Sequence, residues 1–114
     1  MSHLSILPTV LRDADRLAVV LQSLGLTPLQ GGCLEISLGD SQPVLLRVEL
    51  TDGLAIGWQR QSDGSLALVC DLQRFSRHRS LAALIDRITR AYAVHQAIEE
   101  AAAGLPTALI TIRA

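Results

Sequence analysis

Lysine and asparagine are both missing from this 114-residue sequence, and all ten of its basic side chains are arginines. A GC-rich genome produces such a bias without selection for any site, so we give this absence no functional meaning. The chain has ten basic and eleven acidic residues, which gives a net charge of -1. A balance this close to zero argues against a general binder of polyanions, although it is compatible with a local basic patch.

Aromatic residues, long apolar runs and cysteines are also scarce. Aromatics make up only 3% of the chain, so we interpret Trp58 as a core or interface residue, because platforms that stack nucleic-acid bases usually present several aromatics. No apolar run approaches the roughly 18 residues of a membrane-spanning helix. Cys33 and Cys70 lie in different segments without Cys-x-x-Cys spacing, and we interpret both as core residues.

The overall composition of the chain indicates a folded protein. Apolar residues make up 49% of the chain and charged residues 18%, which excludes a disordered protein and supports a single domain over residues 1–114. A chain of this length removes roughly two-thirds of its unfolded surface from water. The mean hydropathy of +0.34 is high, so we expect part of the apolar surface to be buried against a partner.

Hydrophobic periodicity predicts an α+β fold with the order β-α-β-β-β-β-α-β. The predicted strands cover residues 3–7, 33–38, 44–50, 54–60, 66–72 and 107–113. Short turns, the first of them over 39–43, separate the four central strands, and such turns are too short for parallel crossovers. The sequence therefore predicts an antiparallel meander with two helices packed on it.

Capping residues predict the bounds of both helices. Asp13 is the expected N-cap of the first helix, and Gly25 follows its last turn as a residue free to adopt a positive φ. Ser80 is the expected cap of the second helix, which ends at Gly104 and is roughly 34 Å long. Because a strand of six residues spans only about 20 Å, we expect the C-terminal part of this helix to extend beyond the sheet.

The second face of the predicted sheet is less polar than a solvated face should be. It carries Leu45 and Val69 beside Arg47 and Glu49. Either a helix or another subunit must cover part of such a face. We expect self-association through it, with Leu45, Val69 and Trp58 near the contact.

Most catalytic templates are absent from the sequence. It contains no glycine-rich phosphate loop, no metal-ligand spacing and no Gly-x-Ser-x-Gly elbow. Glu99 and Glu100 are adjacent on a helix and diverge by about 100°, which prevents a paired carboxylate site. We therefore predict no metal and no cofactor, and we favour a protein that is not an enzyme.

His95 is a candidate site residue because it falls on the apolar stripe of the second helix. It lies one turn after Tyr92, where its ring needs a hydrogen-bond partner or must stay neutral. We predict that His95 is buried and bonded to Asp71 or to a backbone carbonyl. A structural histidine and a role in ligand binding or proton transfer are both open at this point.

The segment 74–79 is the one charge cluster in the sequence. Arg77 and Arg79 flank His78 immediately before Ser80, and the N-terminus of the following helix also favours anions. We therefore predict that Arg77, Arg79 and Ser80 bind phosphate, sulfate or an acidic segment of a partner. An ordinary solvated loop is the alternative. Three arginines are too few for an extended nucleic-acid track.

Several segments resemble one known family in the same order along the chain. They are the opening Met1-Ser2-His3, the helix end Leu24-Gly25, Ile56-Gly57-Trp58, Asp71-Leu72-Gln73-Arg74-Phe75 and Tyr92-Ala93-Val94-His95. In these segments the chain resembles the hypothetical chloroplast open reading frame thirty-five family. That family is also described as domain of unknown function number twelve fifty-seven, and it occurs in cyanobacteria, red-algal plastids and other bacteria.

The resemblance implies a location in the bacterial cytoplasm or the plastid stroma, and no established reaction. It also implies an accessory role beside an AAA-type ATPase, because some relatives are encoded next to one. Asp71, Gln73, Tyr92 and His95 are signature positions in it without an assigned catalytic role. We interpret the protein as a non-enzymatic binding or adaptor module with a protein partner. The alternative is a small enzyme or ligand-binding domain with a polar site around those four residues.

Overall fold

Both predicted helices and the central strands are present in the computed structural model, which describes residues 4–37, 40–50, 54–71 and 79–104. The strands are β1 (Leu4–Leu7), β2 (Leu29–Gln30), β3 (Cys33–Ser37), β4 (Asp40–Pro43), β5 (Leu46–Glu49), β6 (Ala55–Arg60) and β7 (Leu66–Asp71). The helices are α1 (Ala14–Ser23) and α2 (Arg79–Gly104). The α+β class is confirmed, and the strand predicted over 107–113 lies outside the described residues.

Five strands form one antiparallel sheet in the order β1-β7-β6-β5-β2. The predicted meander is its centre, where Trp58 of β6 lies opposite Leu46 on one side and Leu68 on the other. β1 pairs with the far edge of β7 and places Leu4 opposite Asp71. The short β2 occupies the other edge, beside β5.

β3 and β4 form a separate two-stranded sheet, which corrects the sequence interpretation. Residues 33–38 are expected beside β5, and 39–43 as a turn, but Asp40–Pro43 is a strand that pairs with Cys33–Ser37. The physical reason is the turn at Gly31 and Gly32, whose φ angles of 71° and 83° few other residues adopt. This turn directs the chain out of the sheet after β2, which already occupies the edge beside β5.

The β3–β4 hairpin covers the weakly polar outer face of the five-stranded sheet. Val44 packs so close to Gly57 that a Cβ there would lie 2.8 Å from the Val44 Cγ1 atom. Val69 and Trp58 are only 0% and 2% exposed. Val69 packs with Leu34 and Val44, and Trp58 packs in the main core, so neither side chain can itself touch another subunit. Self-association of the protein stays a prediction. Leu45 is 40% exposed.

The main core lies between the other face of the sheet and the two helices. Asp13 caps α1 as predicted, because its Oδ1 accepts hydrogen bonds from the backbone amides of Asp15 and Arg16. Gly25 follows the end of α1 and has a φ of 84°. The buried residues of the core include Leu17, Val20 and Leu21 from α1, Ile56, Trp58 and Leu66 from the sheet, and Leu81, Ile88 and Tyr92 from α2.

The second half of α2 extends beyond this core, as predicted. The helix begins at Arg79, so Ser80 lies within its first turn and does not cap it. Tyr92 is its last buried residue, and no residue of 93–104 is buried. At 1.5 Å per residue the projecting part is about 18 Å long. No helix in the described ranges is both long and apolar enough to cross a membrane.

Candidate functional site

Arg16 of α1 joins the two helices at the edge of the main core. Its Nη2 donates to Glu99 Oε1 at 2.7 Å, and its Nε donates to the same oxygen and to His95 Nδ1, both at 3.2 Å. The guanidinium carbon lies 5.6 Å from the centre of the Tyr92 ring, close enough for a cation–π contact. We call these four side chains the Arg16 cluster.

Tyr92 acts in this cluster through its hydroxyl as well as its ring. The hydroxyl oxygen accepts hydrogen bonds from the backbone amides of Arg12 at 3.2 Å and Asp13 at 2.8 Å. These amides directly precede α1 and have no partner inside that helix. Both acceptor positions of the oxygen are therefore engaged in holding the start of α1 against α2.

His95 is bonded to Arg16, which corrects its predicted partner. Its side chain is 33% exposed, so it is half-buried where the sequence predicts full burial. Its Nδ1 lies 3.2 Å from Arg16 Nε, which donates to it. Glu99 Oε1 lies 3.3 Å from the same Nδ1 atom, one turn further along α2.

Asp71 lies at the other end of β7 from the Arg16 cluster. The first residue of β7, Leu66, donates its amide to the carbonyl of Leu11, next to the amides that Tyr92 binds. Asp71 is five residues further along the strand, which corresponds to roughly 16 Å. It is buried at 3% exposure. The structure therefore does not bring Asp71 together with Tyr92 and His95.

The structure describes only some of the remaining predicted site residues. Gln73 and Arg77 lie outside the described residues. Arg79 and Ser80 are placed as the first two residues of α2, and the anion site proposed for Arg77, Arg79 and Ser80 stays a prediction. Among the described residues, no group of three or more His, Cys, Asp or Glu side chains is arranged to hold a metal ion.

The electrostatics of Arg16 favour a structural role for this residue over acid–base chemistry. The hydrogen bond with Glu99 is the main cause that raises the pKa of Arg16 above its already high ordinary value. A guanidinium held in its charged form neither accepts nor releases a proton in the range where proteins work. The cluster can therefore orient the two helices, and its polar contacts are explained by that packing.

A cleft that the sequence interpretation missed lies between the β3–β4 hairpin and the outer face of the sheet. Its volume is about 330 Å³. Its lining is partly polar and partly apolar. It consists of Cys33, Leu34 and Glu35 from β3, Arg47 and Glu49 from β5, Ala55 from β6, and the neighbouring Leu50 and Leu54. We call this space the hairpin cleft. The missed signal is the pair of glycines before residue 33, which marks the departure of the chain from the sheet.

The hairpin cleft also corrects the interpretation of the two thiols. Cys33 is exposed, whereas Cys70 is buried as predicted. Burial, and then the neighbouring charge of Asp71, raises the pKa of the Cys70 thiol to about 11. Of the two thiols only that of Cys33 therefore faces solvent, and it does so at the rim of a cleft.

Comparison with known proteins identifies a family but not a characterised relative. No curated protein and no solved structure gives a significant match to the chain. The model of one family, described as "Protein of unknown function (DUF1257)", matches residues 20–105. This match begins within α1 and includes the hairpin, the meander and all of α2. Because it covers most of the sequence, the chain belongs to the DUF1257 family of proteins of unknown function.

Proposed function

We propose that this protein is a non-enzymatic binding or adaptor module, and that α2 holds its protein partner. The observation that carries the proposal is the exposure of Val94 and Ile98, which are one helical turn apart and 58% and 64% exposed. Both lie on the part of α2 that extends beyond the core. Contiguous apolar surface of this kind usually marks a site of interaction with another molecule.

Further residues at helical spacing extend this surface along α2. The outer stripe consists of Arg87, Arg90, Val94, Ala97, Ile98 and Ala101, all of which are exposed. Their spacing of three and four residues places them on one side of the helix, away from Tyr92. The stripe is basic towards the start of α2 and apolar towards its end.

The charges of the outer stripe indicate the chemistry of the partner. Arg90 pairs with Asp86 at 3.0 Å, whereas Arg87 has no ion pair within the described part of the chain. An amphipathic helix of this type docks into an apolar groove of its partner. We therefore expect a groove that receives Val94 and Ile98 and carries an acidic side chain facing Arg87.

An AAA-type ATPase is the first partner to test within this proposal. The resemblance to the chloroplast reading frame family supports that choice, as well as a cyanobacterial or plastid type of protein acting in the bacterial cytoplasm or the plastid stroma. The competing partner is a second copy of this chain, which would form a homo-oligomer by binding through the same stripe. The test must distinguish this partner from the ATPase.

The test measures binding of the purified AAA-type ATPase of the source organism to the purified protein by calorimetry. The double variant Val94→Glu, Ile98→Glu should bind at least ten-fold more weakly, because it places two charges in the apolar groove. Val19→Glu is the matched control, since Val19 is 48% exposed but lies on α1. Equal binding by the double variant, or no binding by the wild type, would contradict this partner. Sedimentation of the protein alone shows whether a second copy occupies the stripe instead.

The alternative function requires Asp71, Gln73, Tyr92 and His95 in one polar site. Asp71 is at the opposite end of β7 from Tyr92, and the Tyr92 hydroxyl already accepts two backbone hydrogen bonds. These observations support the adaptor proposal over an enzyme built on those four residues.

A further inference from the structure

We propose that the hairpin cleft binds a small apolar α-amino acid, whose carboxylate contacts Arg47 and whose ammonium group contacts Glu49. The volume of about 330 Å³ lies at the lower end of the range for ligand pockets. The cleft is on the outer face of the sheet, whereas α2 packs on the other face. The inference therefore does not depend on the outer stripe or on the proposed adaptor function.

Strand alternation places one positive and one negative side chain of β5 on the outer face. Leu46 and Val48 are buried in the main core, so Arg47 and Glu49 point to the opposite side of the sheet. Both line the cleft. Two positions along a strand separate their Cα atoms by roughly 6.8 Å. Two long side chains at this separation can contact one small molecule that lies between them.

Small residues on the outer face of β6 create the space. Ala55 lies opposite Glu49 and Gly57 lies opposite Arg47 in the register of β5 and β6. Val44 of the hairpin fills the position above Gly57. Ala55 has no more than a methyl group, so the adjoining volume beside Glu49 stays open.

Arg47 is held in one orientation at the wall of the cleft. Its Nε donates to the carbonyl of Gly31 at 3.2 Å. A Cβ on Gly32 would lie 3.2 Å from this Nε and 3.5 Å from Nη2, so the glycine leaves room for the guanidinium. Both Nη groups are without a hydrogen-bond partner among the described residues. They form the planar fork that binds a carboxylate through two parallel hydrogen bonds.

Glu49 supplies the charge that distinguishes an amino acid from a simple carboxylate. Within the described ranges it forms no ion pair with Arg47 or with another residue. A simple anion would be repelled by Glu49, and a simple amine would be repelled by Arg47. An α-amino acid carries its carboxylate and its ammonium group on one carbon, so it matches both charges at once.

The apolar part of the lining selects the side chain of the ligand. Leu34 packs with Val69 on the outer face of the sheet, so it lies on the cleft side of β3, whereas Glu35 beside it turns towards solvent. Leu50 and Leu54 line the same space, directly after β5 and directly before β6. An apolar side chain of the ligand would be removed from water there, which is favourable, whereas a polar one would lose hydrogen bonds with water.

The test is a titration of the full chain with L-leucine, followed by nitrogen–proton correlation spectra. We expect saturable shifts confined to the amides around Leu34, Arg47 and Ala55, with a Kd of about 1 mM or tighter. Three probes each lack one part of the ligand: isocaproate lacks the ammonium group, isoamylamine lacks the carboxylate and glycine lacks the apolar side chain. Each should bind at least ten-fold more weakly than L-leucine. Equal binding of any of the three would overturn the assigned ligand class, and an absence of L-leucine binding would overturn the site.

Glu49→Gln separates a binding role of Glu49 from a structural one. It should weaken the binding of L-leucine at least ten-fold and strengthen that of isocaproate, because the charge that repels a carboxylate is gone. An equal weakening of both ligands would show that Glu49 only supports the shape of the cleft. Unchanged binding of L-leucine would contradict the contact with the ammonium group. Because Glu49 is exposed, this variant stays informative if others fail to fold.

Two further variants locate the binding within the cleft. Arg47→Gln removes the fork, and Ala55→Leu fills the space beside it. Each should weaken L-leucine binding at least ten-fold in protein that keeps the wild-type spectrum elsewhere. Arg90→Gln, on the outer stripe, is the matched control and should bind as the wild type does. Unchanged binding by folded Arg47→Gln or Ala55→Leu would contradict the proposal.

Discussion

Cys70 couples the stability of the folded chain to alkaline pH. In the unfolded chain its thiol ionises near the ordinary value of 9.0, whereas in the folded chain burial and Asp71 raise its pKa to about 11. Between these values the unfolded state has lost a proton that the folded state still holds. The free energy of unfolding should therefore fall as pH rises, by about 1.4 kcal/mol per pH unit over this interval.

Urea unfolding of the wild type and of Cys70→Ala, at about pH 8 and about pH 10, measures this contribution. Below the unfolded pKa the stabilisation by the protonated thiol is fully present. The alanine variant should be less stable at both values but should decline less between them. Parallel declines in the two proteins would show that another group is responsible.

Tyr92 and His95 should differ in their contribution to stability, although both belong to the Arg16 cluster. Tyr92→Phe leaves the amides of Arg12 and Asp13 without their shared acceptor, and we expect a loss of roughly 1–3 kcal/mol. His95→Leu should have a smaller effect, because His95 is half-buried and Arg16 keeps its bonds to Glu99. Thermal unfolding of both variants makes the comparison. A larger loss for His95→Leu would contradict the roles assigned here.

At the scale of the elements, close packing of the hairpin on the sheet depends on Gly57. Gly57→Ala places a Cβ 2.8 Å from Val44 Cγ1 and 3.1 Å from the carbonyl oxygen of Leu46. We expect a destabilisation of roughly 1–3 kcal/mol from this overpacking. Gly104→Ala is the matched control, because a Cβ there meets nothing within 4 Å. Adding Val44→Ala to Gly57→Ala should restore part of the loss, and a strictly additive double variant would argue against the contact.

The anion site predicted for Arg77, Arg79 and Ser80 would lie at the start of α2. If the site forms, inorganic phosphate or an acidic peptide should bind the wild type and bind an Arg77→Ala, Arg79→Ala variant at least ten-fold more weakly. Two arginines and the helix N-terminus would then act on one anion. Calorimetric titration of both proteins is the measurement. Equal binding by the two, or none by either, would make this segment an ordinary solvated loop.

Sequence patterns predicted the elements well where the deciding contacts are local. The Asp13 cap, Gly25 and the three strands of the meander each depend on residues only a few positions apart. The prediction that residues 33–38 pair with β5 was wrong. The alternation of apolar and polar residues in a strand is the same whether that strand pairs with β5 or with β4. That choice depends on the turn at Gly31 and on the short β2, which has no hydrophobic period to recognise.

The candidate sites were harder to predict because their contacts join distant segments. Arg16 and His95 are 79 residues apart in the sequence, and no spacing rule connects them. The hairpin cleft similarly needs β3 on one side and β5 on the other. The sequence identified Tyr92 and His95 as unusual residues on a buried stripe, but only the packing of α1 on α2 supplies their partners.

On the scale of the whole molecule, the hairpin cleft and the outer stripe lie on opposite sides of the sheet. The hairpin cleft is on the outer face, and the outer stripe is on a helix packed against the other face. The molecule measures 56 × 30 × 20 Å.

The bond between Arg16 and Glu99 makes the projecting half of α2 sensitive to ionic strength. In the described part of the chain it is the ion pair that ties this half of the helix to α1, and its Glu99 side chain is 56% exposed. Dissolved salt screens charges that face water over about 10 Å at 0.1 M. Because the two charges are only 2.7 Å apart and the Arg16 side chain is only 16% exposed, salt weakens this pair only in part. That partial loss opposes the strengthening that salt ordinarily gives to the docking of an apolar stripe.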